Sequence, residues 1–261
     1  MVILGTIQLC AVGQSTSLQL ERTIESKATY VTFDNLGHFY AVDDDQISKY
    51  SEKGDFLLTE SFKTLGDITT VDVTNPLKIL LFYFDYGQIA FTDNRLAIRG
   101  DVLALDQFGL VQTGAACTSY NNGFWVFDQV TFELIRYDRN FRVVNKTANI
   151  QQIVGTEIHP SFMREDGNWL YISNPQSGIL VFDIYGTYYK TIPFKNVEKF
   201  SIYGGRLYAL QGSNLVAYHL KTGGIVETEL PLGIVRDFSV YNKRLLFSSG
   251  KALTIYRIIE P

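Results

Sequence analysis

Residues 162–194 read FMREDGNWLYISNPQSGILVFDIYGTYYKTIPF. Three runs within it, WLYI from Trp169, ILVF ending at Phe182 and TYYKTIPF from Thr187, are rich in aromatic and branched apolar residues, which favour a half-buried pleated surface. Between the runs stand Asp166-Gly167-Asn168, Asn174-Pro175-Gln176-Ser177-Gly178 and Asp183 to Gly186, clusters of the Asn, Asp, Gly and Pro residues that make hairpin turns. With FMRE ahead of the first turn, the stretch predicts four short antiparallel strands in succession.

The same unit recurs along the chain. Its third run, closing on an aromatic ring, returns as QISKY ending at Tyr50, QIAF at Phe91, LIRY at Tyr137, LVAY at Tyr218 and LTIY at Tyr256, so that six rings stand 36 to 46 residues apart. Its second run returns from Phe39, Leu80, Phe124, Arg206 and Arg244, and its first as VTFDNLG at Val31, VDVTNPL at Val71, CTSYNNG at Cys117, FSIYGGR at Phe200 and FSVYNKR at Phe238. Four-stranded repeats of about 40 residues set radially are β-propeller blades. After Tyr256 only RIIEP remains, which leaves the sixth unit without its outer strand. The segment SLQLERTIE, Ser17 to Glu25, has no partner at the front and carries Leu18, Leu20 and Ile24 at strand spacing. It is predicted to complete the last blade and remove an open sheet edge. The expected fold is all-β: one six-bladed propeller domain over residues 14–261.

Length and composition agree with a single packed domain. The 261 residues are 46% apolar and 19% charged, which excludes disorder, and 16 Tyr and 18 Phe suit many short strands. With 23 basic against 27 acidic side chains, no positive excess exists to release counterions from nucleic acid. The stretch Val2 to Val12 is apolar but too short to span a bilayer as a helix. With Ala11 and Gly13 three positions and one position before Gln14, residues 1–13 read as a signal peptide and place the mature chain in the periplasm or outside the cell. A Lys/Arg-bearing start is missing, as in a truncated signal, and a buried first strand is the alternative. Cys117 is then the one remaining cysteine, and its small-residue setting, Gly114 to Cys117, reads as a buried core thiol. No later run of 18 apolar residues occurs, so a soluble mature chain is expected.

The phrases NPLKILLFYFDYGQI from Asn75, ACTSYNNGFWVFDQ from Ala116 and GILVFDIYGTYYKTIPF from Gly178 resemble six-bladed propellers of the NHL and TolB-like kinds, in particular secreted or periplasmic propellers of Bacteroidetes-type bacteria. The resemblance covers residues 17–259 and implies architecture and an envelope location, with no settled activity. A narrower likeness, to the plug-like accessory subunit of an outer-membrane secretion machine, rests on analogy of fold. WD dipeptides and the Trp-rich repeats of quinone-dependent propellers are absent from the sequence.

Catalytic patterns are scarce. His38, His159 and His219 are scattered among turns, and no H-E-x-x-H, G-x-S-x-G or glycine-rich phosphate loop occurs. No cofactor is expected. The enzymatic alternative is a calcium-dependent lactonase-type hydrolase, whose metal sits in the channel on oxygens from several inner strands. Aligning the six inner strands sets Tyr30, Thr70, Ala116, Ser161, Lys199 and Asp237 in one ring, and Thr32, Asp72, Thr118, Met163, Ser201 and Ser239 in another. One carboxylate per ring is too few for an ion that wants six to eight oxygens. Asp43, Asp44 and Asp45 are weak metal candidates, because consecutive strand residues point to opposite faces. Asn145-Lys146-Thr147 matches a glycosylation acceptor, without consequence in a bacterial envelope protein.

What remains is surface. The turns between second and third strands all open on one end of the ring, and loops on a rigid scaffold carry function. The candidate binding face comprises Tyr86, Gln129, Phe132, Asn174, Gln176 and Asn214. Tyr86, Phe132 and the run Asp183 to Tyr189 offer ring anchors, although Tyr185, Tyr188 and Tyr189 suit packing between blades equally well. The expected function is a non-enzymatic interaction module that binds a protein, peptide or cell-wall partner through one face.

Overall fold

The structure, a computed structural model, describes residues 17–231, 233 and 235–259. The signal-peptide reading of residues 1–13 lies outside them. Alternating apolar residues in short runs between turns give six separate four-stranded antiparallel sheets. From the channel outward, blade I holds Tyr30–Phe33, Phe39–Asp43, Gln46–Tyr50 and Phe56–Ser61. Blade II holds Thr70–Asp72, Ile79–Tyr83, Gln88–Thr92 and Leu103–Ala104. Blade III holds Thr113–Ser119, Gly123–Asp128, Glu133–Tyr137 and Val143–Lys146. Blade IV holds Phe162–Asp166, Trp169–Asn174, Gly178–Asp183 and Tyr188–Ile192. Blade V holds Phe200–Tyr203, Arg206–Gln211, Asn214–His219 and Ile225–Glu229.

Blade VI closes the ring as the chain ends require. Its inner three strands are Asp237–Tyr241, Arg244–Ser248 and Ala252–Ile259, and Ser17–Glu25 pairs antiparallel on the last, from Ser17 opposite Ile259 to Glu25 opposite Ala252. A register shift between Leu20 and Arg22 changes which side chains face inward. Leu18 and Ile24 pack against the cores flanking blade VI, whereas Leu20 faces solvent. At the shift, Glu21 accepts hydrogen bonds from Arg244 Nε at 2.8 Å and Arg257 Nε at 2.6 Å, which clasps the closing strand. Blade II is the irregular one. Its outer strand is only two residues long because the chain after Thr92 turns back through a tight loop, held by the Arg99–Asp93 ion pair and touching the sheet only at a single Thr92–Ile98 bridge, before Leu103 pairs.

The apolar residues sort into clusters between neighbouring blades, one for each of the six junctions. The repeated ring residues belong to these cores: Tyr50, Phe91, Tyr137, Phe182 and Tyr256 are buried, and Tyr50 and Tyr137 stack on their cross-strand partners Phe39 and Phe124 at centroid distances of 4.8 and 5.0 Å. Tyr218 alone among the six is half-buried. Antiparallel alternation gives the ring two ends. The turns between second and third strands and the blade-to-blade loops form the upper face. Inner-to-second and third-to-outer turns form the lower face. Among the described residues no helix is long and apolar enough to cross a membrane.

Candidate functional site

The inner strands line the channel with a few charged side chains, each spent on holding neighbouring blades together. Asp237 of blade VI accepts from Val31 N of blade I at 2.7 Å and from Lys199 Nζ of blade V at 2.6 Å. Lys199 also donates to Val31 O at 2.5 Å and lies 3.8 Å from the centre of the Tyr30 ring, whose hydroxyl reaches Val71 O in blade II at 2.9 Å. One ion pair, its side chains 12% and 8% exposed, thus ties together the inner strands of blades V, VI and I. Burial pushes the Lys199 ammonium down, against the pull of Asp237, and pushes the Asp237 carboxyl up, against the pull of Lys199. Asp72 of blade II accepts from Thr118 N and Oγ1 of blade III, both at 2.8 Å. Glu165 of blade IV accepts from Ser119 Oγ at 2.5 Å, Tyr120 N at 2.8 Å and Trp125 Nε1 at 2.7 Å, all in blade III.

These carboxylates do not fit calcium. Each accepts from N–H or O–H donors of a neighbouring blade, and an ammonium stands against one of them, so the channel offers no convergent oxygen set. Among the described residues no three His, Cys, Asp or Glu side chains come together. The inner-strand alignment placed Lys199, Asp72 and Asp237 at the channel but gave no sign that they bridge blades. Glu165 escaped it, two residues beyond Met163 on the same face of its strand, where alternation would have put an apolar residue.

The other singled-out residues are dispersed. Asp44 sits in the left-handed region at φ 53°, and Asp45 accepts from Ser61 Oγ of the outer strand, so the three aspartates do not converge on one point. His159 meets Glu157 at 2.9 Å on an exposed loop, His38 lies in the turn beside Asp34, and His219 Nδ1 accepts from Lys221 N and Thr222 N at 3.3 and 3.2 Å. Cys117 is fully buried and its thiol is pushed well up by that burial.

On the upper face the six candidate residues are spread over blades II to V. Asn174 is corrected: its side chain is fully buried, accepting from His159 N at 2.8 Å and donating to Glu157 O at 2.9 Å, which fastens the loop between blades III and IV. Phe132 is corrected too. Held at φ 58°, it turns back onto Phe127 and packs against the core of blades III and IV. Asn214 donates to Glu227 at 3.1 Å, and Gln176 is exposed alone. Tyr86 belongs to a surface. With Phe84, Leu110 and Val111 it lines a cavity of about 350 Å³ between blades II and III, fringed by Asp85 and Asp106. Tyr86 is 64% and Val111 85% exposed, and Val130 is exposed in the adjoining turn. The Tyr86 ring lies across Gly66, where a Cβ would come within 2.3 Å of it; Gly66 has φ 80° as well. Gln129 packs nearby over Gly114.

The run Asp183 to Tyr189 belongs to the opposite end. It forms the third-to-outer turn of blade IV and therefore opens on the lower face, where Tyr188 packs on Phe182 while Tyr185 and Tyr189 are exposed. Beside it a groove of about 600 Å³ lies between blades IV and V. A second, polar compartment of about 430 Å³ adjoins it at the channel mouth, and Gly167 lines both.

No protein-family model matches the chain, and no curated protein matches it in sequence. Solved structures do match in fold. A catalytically inactive virginiamycin B lyase from Staphylococcus aureus, bound to quinupristin, is 12% identical with a TM-score of 0.61, covering 94% of this chain and 100% of that one. The Neurospora crassa Pan2 WD40 domain is 8% identical with a TM-score of 0.66, covering 96% and 98%. BamB from Moraxella catarrhalis is 12% identical with a TM-score of 0.56, covering 92% and 100%. At these identities the likeness establishes the propeller and nothing finer.

Proposed function

We propose that this chain is a non-catalytic binding propeller that engages a protein or peptide partner through its upper face at blades II and III. The observation that carries the reading is the cavity between those blades. Large apolar side chains at Phe84, Tyr86 and Val111 stand in solvent beside carboxylates. Exposed aromatic groups around a pocket are the usual anchors of an interface, and Asp85 and Asp106 favour a partner segment that carries basic residues beside its apolar ones. The channel supports the same reading from the other side, since its carboxylates are engaged in holding blades together. The resemblance of the repeats to secreted or periplasmic propellers of Bacteroidetes-type bacteria supports a role in the bacterial envelope, with an accessory subunit of an outer-membrane machine as one form of it.

The test is co-purification from native envelopes with the parent protein and with Tyr86→Ser/Val111→Ser. The reading expects a stoichiometric partner whose recovery falls at least tenfold with the variant, as loss of central anchors does. Recovery of no partner, or unchanged recovery with the variant, contradicts it.

A further inference from the structure

The groove between blades IV and V differs in chemistry from the upper-face cavity. Its floor is aromatic. Trp169 and Tyr189 meet at a centroid distance of 4.8 Å and an interplanar angle of 39°, with Tyr171 beside them. Lys190 of the lining stands with its Nζ 5.4 Å from the ring centre of Tyr218, the one ring of the sixfold repeat left half-buried.

The polar groups of this groove are mostly donors. Lys190 Nζ meets a neutral hydroxyl, that of Tyr218, at 3.3 Å, and neither Lys190 nor Lys221 forms an ion pair with a described residue. His219 accepts two backbone N–H groups at Nδ1, which fixes its proton on Nε2 and makes that atom a donor. Asp166 is the single carboxylate of the lining. In a chain of net charge −4, a concave site with two unpaired ammonium groups against one carboxylate selects for an anion. Beyond Gly167 the lining is mostly amide and hydroxyl side chains, with the ammonium of Lys78 and with Glu165, whose carboxylate is taken up by Ser119, Tyr120 and Trp125.

We propose that this lower-face groove binds an acidic glycan, a chain of pyranose rings that bear carboxylates. The apolar C–H face of a sugar ring stacks on the Trp169–Tyr189 platform, a carboxylate is held by Lys190, Lys221 and His219 Nε2–H, and the hydroxyls of following rings meet the amides at the channel mouth. A volume of about 600 Å³ is in the range of sites for compact ligands, and the adjoining compartment extends it along a chain. An acidic peptide fits less well, because the second compartment offers hydroxyl and amide side chains where peptide recognition uses a free strand edge or apolar pockets. This site does not depend on the upper-face partner.

Trp169 supplies the readout, because the only other tryptophan, Trp125, is fully buried. The full chain is titrated with tetragalacturonate, cellotetraose and tetraglutamate while tryptophan emission is followed, for the parent, Lys190→Gln/Lys221→Gln and Tyr86→Ser. The proposal expects a saturable change with tetragalacturonate, affinity at least tenfold weaker in the double variant, unchanged affinity in Tyr86→Ser, and at least tenfold weaker binding of cellotetraose and tetraglutamate. No saturable change, an unaffected double variant, or equal binding of either control ligand overturns it. Because Tyr86→Ser removes the other surface, failure here and failure of the proposed partner interaction are read separately.

Discussion

Replacing Lys199 with Met tests whether the channel is a structural pin. The side chain is buried against Asp237 at 2.6 Å, donates to Val31 O and covers the Tyr30 ring. Methionine keeps most of the volume but strands the Asp237 carboxylate with little beyond the backbone N–H groups of Val31 and Phe238. Removing one member of a buried ion pair costs about 3–5 kcal/mol, and relief of the lysine's own desolvation returns part of it, so a loss of about 3 kcal/mol is expected. For a domain of this size, with about 2–4 °C of Tm per kcal/mol, that is a fall of about 6–12 °C. Thermal and urea unfolding followed by circular dichroism measure it. The double variant Lys199→Met/Asp237→Asn removes the stranded charge while keeping an acceptor for Val31 N, and should regain at least half of the loss. A single variant within about 0.5 kcal/mol of the parent, the range of an ordinary surface substitution, would refute the reasoning. So would a double variant no more stable than the single one.

Three further outcomes follow from named contacts. Glu165→Ala orphans the Ser119, Tyr120 and Trp125 donors at about 1–3 kcal/mol each, so urea unfolding should show a loss of at least about 3 kcal/mol. Deleting residues 17–25 exposes Ala252–Ile259 as an open edge, and size-exclusion chromatography should show species larger than those of the parent chain. Because the Cys117 thiol is pushed up by burial, alkylation at pH 8 should be at least roughly a hundredfold slower in the folded protein than in urea, and raising the pH should speed it only once the chain unfolds.

The ring was readable in the chain because a blade is a local object. Strand, turn, strand and ring residue recur within about 40 residues, and the unpaired ends showed where the circle closes. Contacts between blades were not readable in that way. Lys199 and Asp237 are 38 residues apart, and alignment of the repeats set both at the channel without indicating that one would neutralise the other across two blades. Asn174 carried the appearance of an exposed turn amide, but its blade-to-blade loop folds over it and uses both of its side-chain atoms. Leu18 and Ile24 kept strand spacing yet pack on opposite faces of blade VI, because the register shift after Leu20 reverses the alternation between them. The placement of Tyr185 and Tyr189 was recoverable. Antiparallel strands send the third-to-outer turn to the end opposite the second-to-third turn, and that parity alone assigns both rings to the lower face. Tyr86 was legible as an exposed ring of the upper face because its turn and its aromatic character pointed the same way.

A photocrosslinking amino acid at position 86 in native cells tests most directly whether the upper face at blades II and III is a contact surface. The control carries the same group at position 55, an exposed site at a third-to-outer turn on the lower face. A discrete protein adduct from position 86 and none from position 55 is the predicted result. No adduct from position 86, or the same adducts from both positions, would contradict it.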